Sequence, residues 1–152
     1  MNTESVQGPT KDRVQDLFGS PVFGAAVPLV GRVLLSAIFL LSGVAKLAAP
    51  AATIGYIAAA GLPLPQFTYA IAVFVEIVGG LALIAGYHTR VAAAALAVFC
   101  VATAFGFHNH LGDQNQFAHF FKNIAMAGGL LQIFSFGGGR FSLDSRRPMN
   151  RQ

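Results

Sequence analysis

Charge is what this 152-residue chain has least of: only 11% of its residues are Asp, Glu, Lys or Arg, against about 25% in an ordinary soluble domain. So few charges cannot cover a water-facing surface, and a soluble globular fold is set aside. Tryptophan is absent and there is a single cysteine, Cys100. One cysteine forbids an intramolecular disulfide, and it also removes a dithiol relay, a Cys-rich metal site and an iron–sulfur cluster. There is no Walker loop, no Gly-x-Ser-x-Gly elbow, no His-Glu-x-x-His and no dinucleotide fingerprint. The first nineteen residues lack the basic start, apolar run and small-residue cleavage site of a signal peptide.

What is present points to lipid. Hydrophobic residues make up 55% of the chain, with Phe 14 and Gly 17, and the mean hydropathy is +0.61. That composition suits apolar helices that pack closely through small residues. The fold class read from it is all-α, an integral membrane four-helix bundle. The net charge of +4 and a pI near 9.7 are explained by basic residues at membrane ends, with no nucleic-acid partner expected.

Four apolar runs can be placed, at about 27–47, 67–85, 91–107 and 118–136, each close to the ~20 residues that cross hydrocarbon. Residues 1–26 read as a polar tail, and 145–152 as a basic one. Ala51 to Ala60 is expected to form a short interfacial helix, ended by Gly61-Leu62-Pro63-Leu64-Pro65. The triplet Gly137-Gly138-Gly139 stops the last helix. With four spans, eight of the ten Lys and Arg residues fall on one side of the membrane. They are Lys11, Arg13, Arg32, Arg90, Arg140, Arg146, Arg147 and Arg151, whereas only Lys46 and Lys122 fall on the other. That asymmetry predicts that both termini are cytoplasmic.

Charges within spans cost about 2.5–3.5 kcal/mol each on insertion scales and so turn inward to partners. Helical spacing puts Arg32, Ser36, Phe39, Gly43 and Lys46 on one stripe of the first span. Tyr69, Ala72, Glu76, Gly79, Gly80, Leu83 and Tyr87 share a stripe of the second, and Gln116, His119, Asn123 and Leu130 one of the fourth. The third span offers only Cys100 and Thr103 and is expected to be the most lipid-exposed. Glu76, near mid-membrane, is the most informative residue. It is read in two ways: as a register-setting ion pair with Arg32 or Lys46, or as a proton-exchanging carboxyl beside a quinone or other small ligand. Arg32, Lys46, Glu76, Lys122 and Asn123 are expected to form one internal polar network. Gly43, Gly79, Gly80, Gly128 and Gly129 would let helices approach closely. His108, His110, Asp113 and His119 cluster near one loop as a possible ligand set. No ligand pair there has i, i+4 spacing on a helix, and no metal is assigned.

The chain resembles the DoxX family of small four-helix bacterial membrane proteins. The resemblance rests on Arg32, on Ser42-Gly43-Val44-Ala45-Lys46-Leu47 and Gly61-Leu62-Pro63, and above all on Glu76-Ile77-Val78-Gly79-Gly80-Leu81-Ala82-Leu83 with Gly86 and Thr89-Arg90. It continues through Phe107-His108, Lys122-Asn123 and Gly128-Gly129 to Gly137-Gly138-Gly139-Arg140-Phe141-Ser142-Leu143-Asp144. Gly138 stands where the family commonly has proline. The resemblance spans roughly Val27 to Asp144 and implies an inner-membrane protein, with a link to quinone-dependent oxidoreductases among some members.

Two functions are open at this point. The first is an accessory or structural subunit of a membrane complex without catalytic activity of its own, assembling with itself or another membrane subunit. The second is a quinone-interacting oxidoreductase component with Glu76 exchanging protons. The second requires a pocket between the first, second and fourth spans, whereas the first is satisfied by a filled interior.

Overall fold

A computed structural model describes residues 20–146. The expected tail up to residue 19, together with Arg147 and Arg151, lies outside the described residues. The chain forms five α-helices and one short 3-10 turn, with no strand among the described residues: α1 (Pro21–Ala48), α2 (Pro50–Ala59), α3 (Pro65–Ala85), α4 (Thr89–Phe107), α5 (Gln114–Phe136) and the turn Asp144–Arg146.

Local chemistry sets the helix ends. Ser20 caps α1 by accepting from the Phe23 N–H at 3.1 Å, with proline in the first turn, where a missing N–H costs nothing. This start lies six residues before the expected one, because Ser20-Pro21 is a strong start signal inside a stretch that reads as a tail. Pro50 and Pro65 likewise stand in the first turns of α2 and α3, which have no side-chain cap. Asp113 caps α5 through the Gln116 N–H at 2.9 Å. Gly86, at φ 66°, closes α3 in the left-handed conformation that costs glycine least. The interfacial helix expected over 51–60 is present as α2.

The four long helices pack in the order α1, α3, α4, α5. Contact is most extensive between α4 and α5, then between α1 and α3, while α1 and α5 touch only slightly. The core consists of Phe39, Leu83, Ala93, Leu96, Ala97, Cys100, Ala127 and Leu130. Its surface is inverted relative to a water-soluble protein. Arg32, Ser36, Glu76, Thr89 and Asn123 are buried, while Leu34, Leu41, Phe74, Val98 and Phe136 point outward. Outward apolar faces with inward polar groups are what a lipid solvent demands.

Three helices are long and apolar enough to cross a membrane: α1, α3 and α4. The stretch expected as a fourth span forms a helix, α5, of 23 residues, which is not apolar enough to count with those three. Its first ten residues include Gln114, Asn115, Gln116, His119, Lys122 and Asn123, which lower its hydropathy. One expectation is overturned. The third expected span, α4, is the most buried of the three, with 33% of its membrane-length window buried against 22% for α1 and α3. Polarity was the wrong marker of burial there. Ala92, Ala93, Ala97 and Ala104 let α5 and α3 approach it closely, and small size does the work.

The glycines divide similarly. A Cβ on Gly43 would meet Ile77 at 2.7 Å, one on Gly79 would meet Leu96 at 3.1 Å, and one on Gly80 would meet Leu40 at 2.9 Å. Gly129 is in ordinary contact with Leu35, whereas Gly128 faces open space and packs against nothing.

Candidate functional site

The expected polar network separates into two centres, with Lys122 engaged on its own helix and Asn123 standing apart. The first centre is built on Glu76. Its Oε1 accepts from Lys46 Nζ at 2.9 Å and from the Ser42 hydroxyl at 3.0 Å, and Lys46 Nζ also donates to Ser42 Oγ at 2.7 Å. Ser42 lies one turn before Lys46 on α1, so a single helix face delivers both partners. The Glu76 side chain is 5% exposed and that of Lys46 24%. Lys46 lies close to the end of α1, yet its stem carries the ammonium inward to the carboxylate. Glu76 Oε2 is buried and makes no hydrogen bond. Of the two cations offered to Glu76 by the sequence, the structure selects Lys46.

Arg32 does something else. Fully buried, it donates from Nη1 to the carbonyls of Leu83 and Ile84 at 2.9 and 3.0 Å and from Nη2 to the Phe141 carbonyl. It therefore caps the C-terminal turn of α3, where unpaired carbonyls concentrate negative charge, and ties that turn to the chain's final segment. The correction to a single network follows from depth. Arg32 sits ten residues from Glu76's partner Ser42 on the same helix, which at about 1.5 Å per residue puts it beyond the reach of Glu76.

Asp144 completes this second centre from the opposite sign. Its carboxylate accepts from the His88 N–H at 2.8 Å, the Thr89 N–H at 2.7 Å and the Thr89 hydroxyl at 2.6 Å. An acidic group at a helix N-terminus meets both unpaired donors and the positive end of the dipole, here supplied across 55 residues to α4. The segment 137–144 lies tightly over the α3–α4 turn. A Cβ on Gly138 would stand 2.7 Å from Thr89 Oγ1, so this glycine's lack of a side chain admits the contact.

Beside Glu76 lies a cavity of about 440 Å³, walled by α1, α2, α3, α4 and α5. Phe39, Ile57, Phe99, Phe107 and Met126 give it apolar faces, while Ser42, Lys46, Glu76 and Asn123 supply polar groups. Tyr56 of α2 stacks on Phe107 of α4 with ring centroids 5.5 Å apart, which closes one wall. Volumes of about 300–1,000 Å³, apolar walls and a few polar groups describe small-molecule sites. Asn123 is 8% exposed and lines the cavity, yet among the described residues its side chain makes no hydrogen bond. Its carboxamide is not one of the fully buried unpartnered groups, so it opens onto the cavity.

The expected loop cluster is only half assembled. His108 and His119 stack at 5.0 Å between ring centroids. His108 Nδ1 meets Gln116 Oε1 at 2.8 Å, and Lys122 Nζ meets His119 Nδ1 at the same distance. Lys122 is thus spent on its own helix and does not pair with Glu76. Asp113 is occupied as the cap of α5, and His110 is exposed. Among the described residues, no three His, Cys, Asp or Glu side chains gather as a metal site would require.

A family model described as DoxX matches residues 27–109, just over half of the chain and a stretch that holds Arg32, Ser42, Lys46 and Glu76. The chain belongs to the DoxX family. As a DoxX-family protein it is an integral inner-membrane protein with transmembrane helices. It is similar to "Inner membrane protein YqjF" of Escherichia coli (strain K12), at 34% identity over 124 residues, covering 82% of this chain and 92% of that protein. It is also similar to "Inner membrane protein YphA" of the same organism, at 32% identity over 132 residues, covering 82% of this chain and 94% of that one. No solved structure gives a significant match.

Sequence reasoning missed three things in this DoxX-family chain. Ser42 carried a legible signal, since it stands at i−4 from Lys46. The capping role of Asp144 had only the family motif behind it, and the cavity had none.

Proposed function

We propose that this DoxX-family protein binds a small amphipathic ligand of the quinone class and serves as a quinone-interacting component of an inner-membrane assembly. The observation that carries the reading is the cavity of about 440 Å³ with the Glu76–Lys46 pair in its wall. A subunit whose ion pair only held helix register would fill the space beside it, because empty volume forfeits packing contacts. The accessory-subunit reading accounts for the pair and leaves the cavity without a reason. A substituted quinone ring is apolar on its faces and polar at its carbonyls, which matches aromatic walls and one polar end. A bound quinone supplies two-electron redox chemistry coupled to protons. The chain's part is to hold the ring between aromatic walls, present the Lys46 ammonium, and exchange a proton at Glu76 Oε1.

The proposed placement is a four-span bundle with α5 as the fourth span. Its 23 residues span about 34 Å at 1.5 Å each, enough for hydrocarbon. The eight-to-two distribution of basic residues supports cytoplasmic termini. In this orientation the Arg32–Asp144 centre lies toward the cytoplasm and the cavity in the outer half of the membrane.

The test starts from the full-length protein taken from its own membrane in mild detergent. Mass spectrometry of the extracted lipids is expected to find quinone in proportion to protein, and Glu76→Gln is expected to reduce it at least tenfold while membrane accumulation is kept. Quinone-free wild-type protein would return the accessory-subunit reading.

A further inference from the structure

We infer that Asn123 anchors the headgroup of the cavity's ligand, and that the ligand presents to it a hydrogen-bond-accepting oxygen such as a ring carbonyl. This rests on the ligand-binding reading above and adds a residue that determines specificity.

The inference follows from where each polar group in the cavity wall has spent its protons. The hydroxyls of Thr53, Thr68 and Thr103 donate to backbone carbonyls of Ala49, Pro63 and Phe99 at 2.9 to 3.0 Å. Serine and threonine hydroxyls return to the backbone in this way when no better acceptor is near. Ser42 gives its proton to Glu76, and Lys46 spends two of its three on Ser42 and Glu76. His108 Nδ1 and Lys122 Nζ are engaged with Gln116 and His119. Tyr56 is 53% exposed, so burial does not oblige its hydroxyl to find a partner. Asn123 is the exception, more than nine-tenths buried with its whole carboxamide unspent.

Its position sets it apart. Asn123, Ala127 and Leu130 are the buried residues of α5, at spacings of four and three, so Asn123 occupies what is otherwise an apolar stripe. Its carboxamide atoms are not sealed off, since among the described residues only Arg32 Nε, Ser36 Oγ and Glu76 Oε2 are buried without a partner, so the amide opens onto the cavity that Asn123 lines. A polar side chain set in an apolar stripe and open to a cavity is placed for what the cavity holds rather than for the fold. The two N–H groups of Asn123 and the remaining N–H of Lys46 make three free donors against one free amide acceptor, Asn123 Oδ1, a balance that suits an acceptor oxygen on the ligand. Glu76 Oε1 already accepts two hydrogen bonds, and Oε2 is shielded. The carbonyl form of the headgroup is therefore the one these free donors meet.

The experiment uses the full-length protein in lipid nanodiscs, with calorimetric titration of a benzoquinone carrying one isoprene unit and thermal unfolding of the ligand-free protein. Asn123→Leu is expected to weaken quinone binding about tenfold, equivalent to about 1.4 kcal/mol, and to leave the melting temperature no lower. Asn123→Ala, which adds no bulk, is expected to show the same loss of affinity, and Asn123→Gln to retain most of it. Unchanged affinity in both apolar variants would overturn the inference while leaving the ligand reading intact. So would a loss of affinity accompanied by a lowered melting temperature in both, since that marks a structural role. If the wild-type protein takes up no short-chain quinone, the ligand reading fails and the inference with it.

Discussion

Glu76 and Lys46 form an ion pair whose two members differ in exposure, 5% and 24% by side chain. Taking one charge away strands the other in a low-dielectric interior, which costs about 3–5 kcal/mol for a buried pair. Lys46→Met alone is therefore expected to destabilise by about 3 kcal/mol, toward the lower end because Lys46 is partly exposed. The double variant Lys46→Met/Glu76→Gln is expected to recover most of that loss. A double-mutant cycle on thermal unfolding measures the coupling, and additive effects would dismiss the pair as a stabilising contact. The sequence showed that Glu76 needs a cation or a proton, because an isolated carboxylate in lipid is too costly to leave alone. It did not show which cation, since Arg32 and Lys46 lie on the same stripe. Asn123 was legible as inward-facing but not as solitary, because a missing partner leaves no trace in spacing.

Helix ends carry the second lesson. Segment 137–144 lies against the C-terminal turn of α3 and the first residue of α4, where Arg32 and Asp144 supply the backbone's partners. Removing the carboxylate with Asp144→Ala leaves the His88 and Thr89 donors without it, and losing a helix cap costs about 1–2 kcal/mol. The expected outcome is that loss in unfolding free energy, with hydrogen exchange accelerated at His88 and Thr89 and unchanged in the middle of α4. Uniform acceleration along α4 would show that the clasp supports the entire helix. Proline, glycine and capping signals made most helix boundaries legible within a few residues, since they act on neighbouring backbone. The burial of α4 was not legible. Alanine is equally at home against lipid and against another helix, and only the packed partner distinguishes them.

Across the assembled protein, a polar interior and an apolar exterior fit a lipid environment, and the proposed topology makes a directional demand. With Cys100 replaced by Ser, His110→Cys is expected to react with a membrane-impermeant maleimide added to intact cells. Gln152→Cys is expected to react only after lysis. Labelling of both from outside would contradict an even number of spans. Helix α5 is the decisive element, because its polar first half keeps it below the hydropathy of the other three long helices. That same polar half supplies Asn123, Lys122 and His119, so what weakens it as a span equips it as a cavity wall.

The amino-acid sequence determined that this protein lives in a membrane, that it is helical, which face of each of α1, α3 and α5 turns inward, and that it belongs with the DoxX family. These properties follow from composition and from a local 3.6-residue period, which every short window carries. Only the tertiary structure decided that Lys46 rather than Arg32 meets Glu76, that Asp144 caps a helix 55 residues away, and that a cavity of about 440 Å³ remains beside the pair. Pairing depends on the relative depth and rotation of helices, and a cavity is the volume left over when all of them have packed, so neither is a property of any single segment.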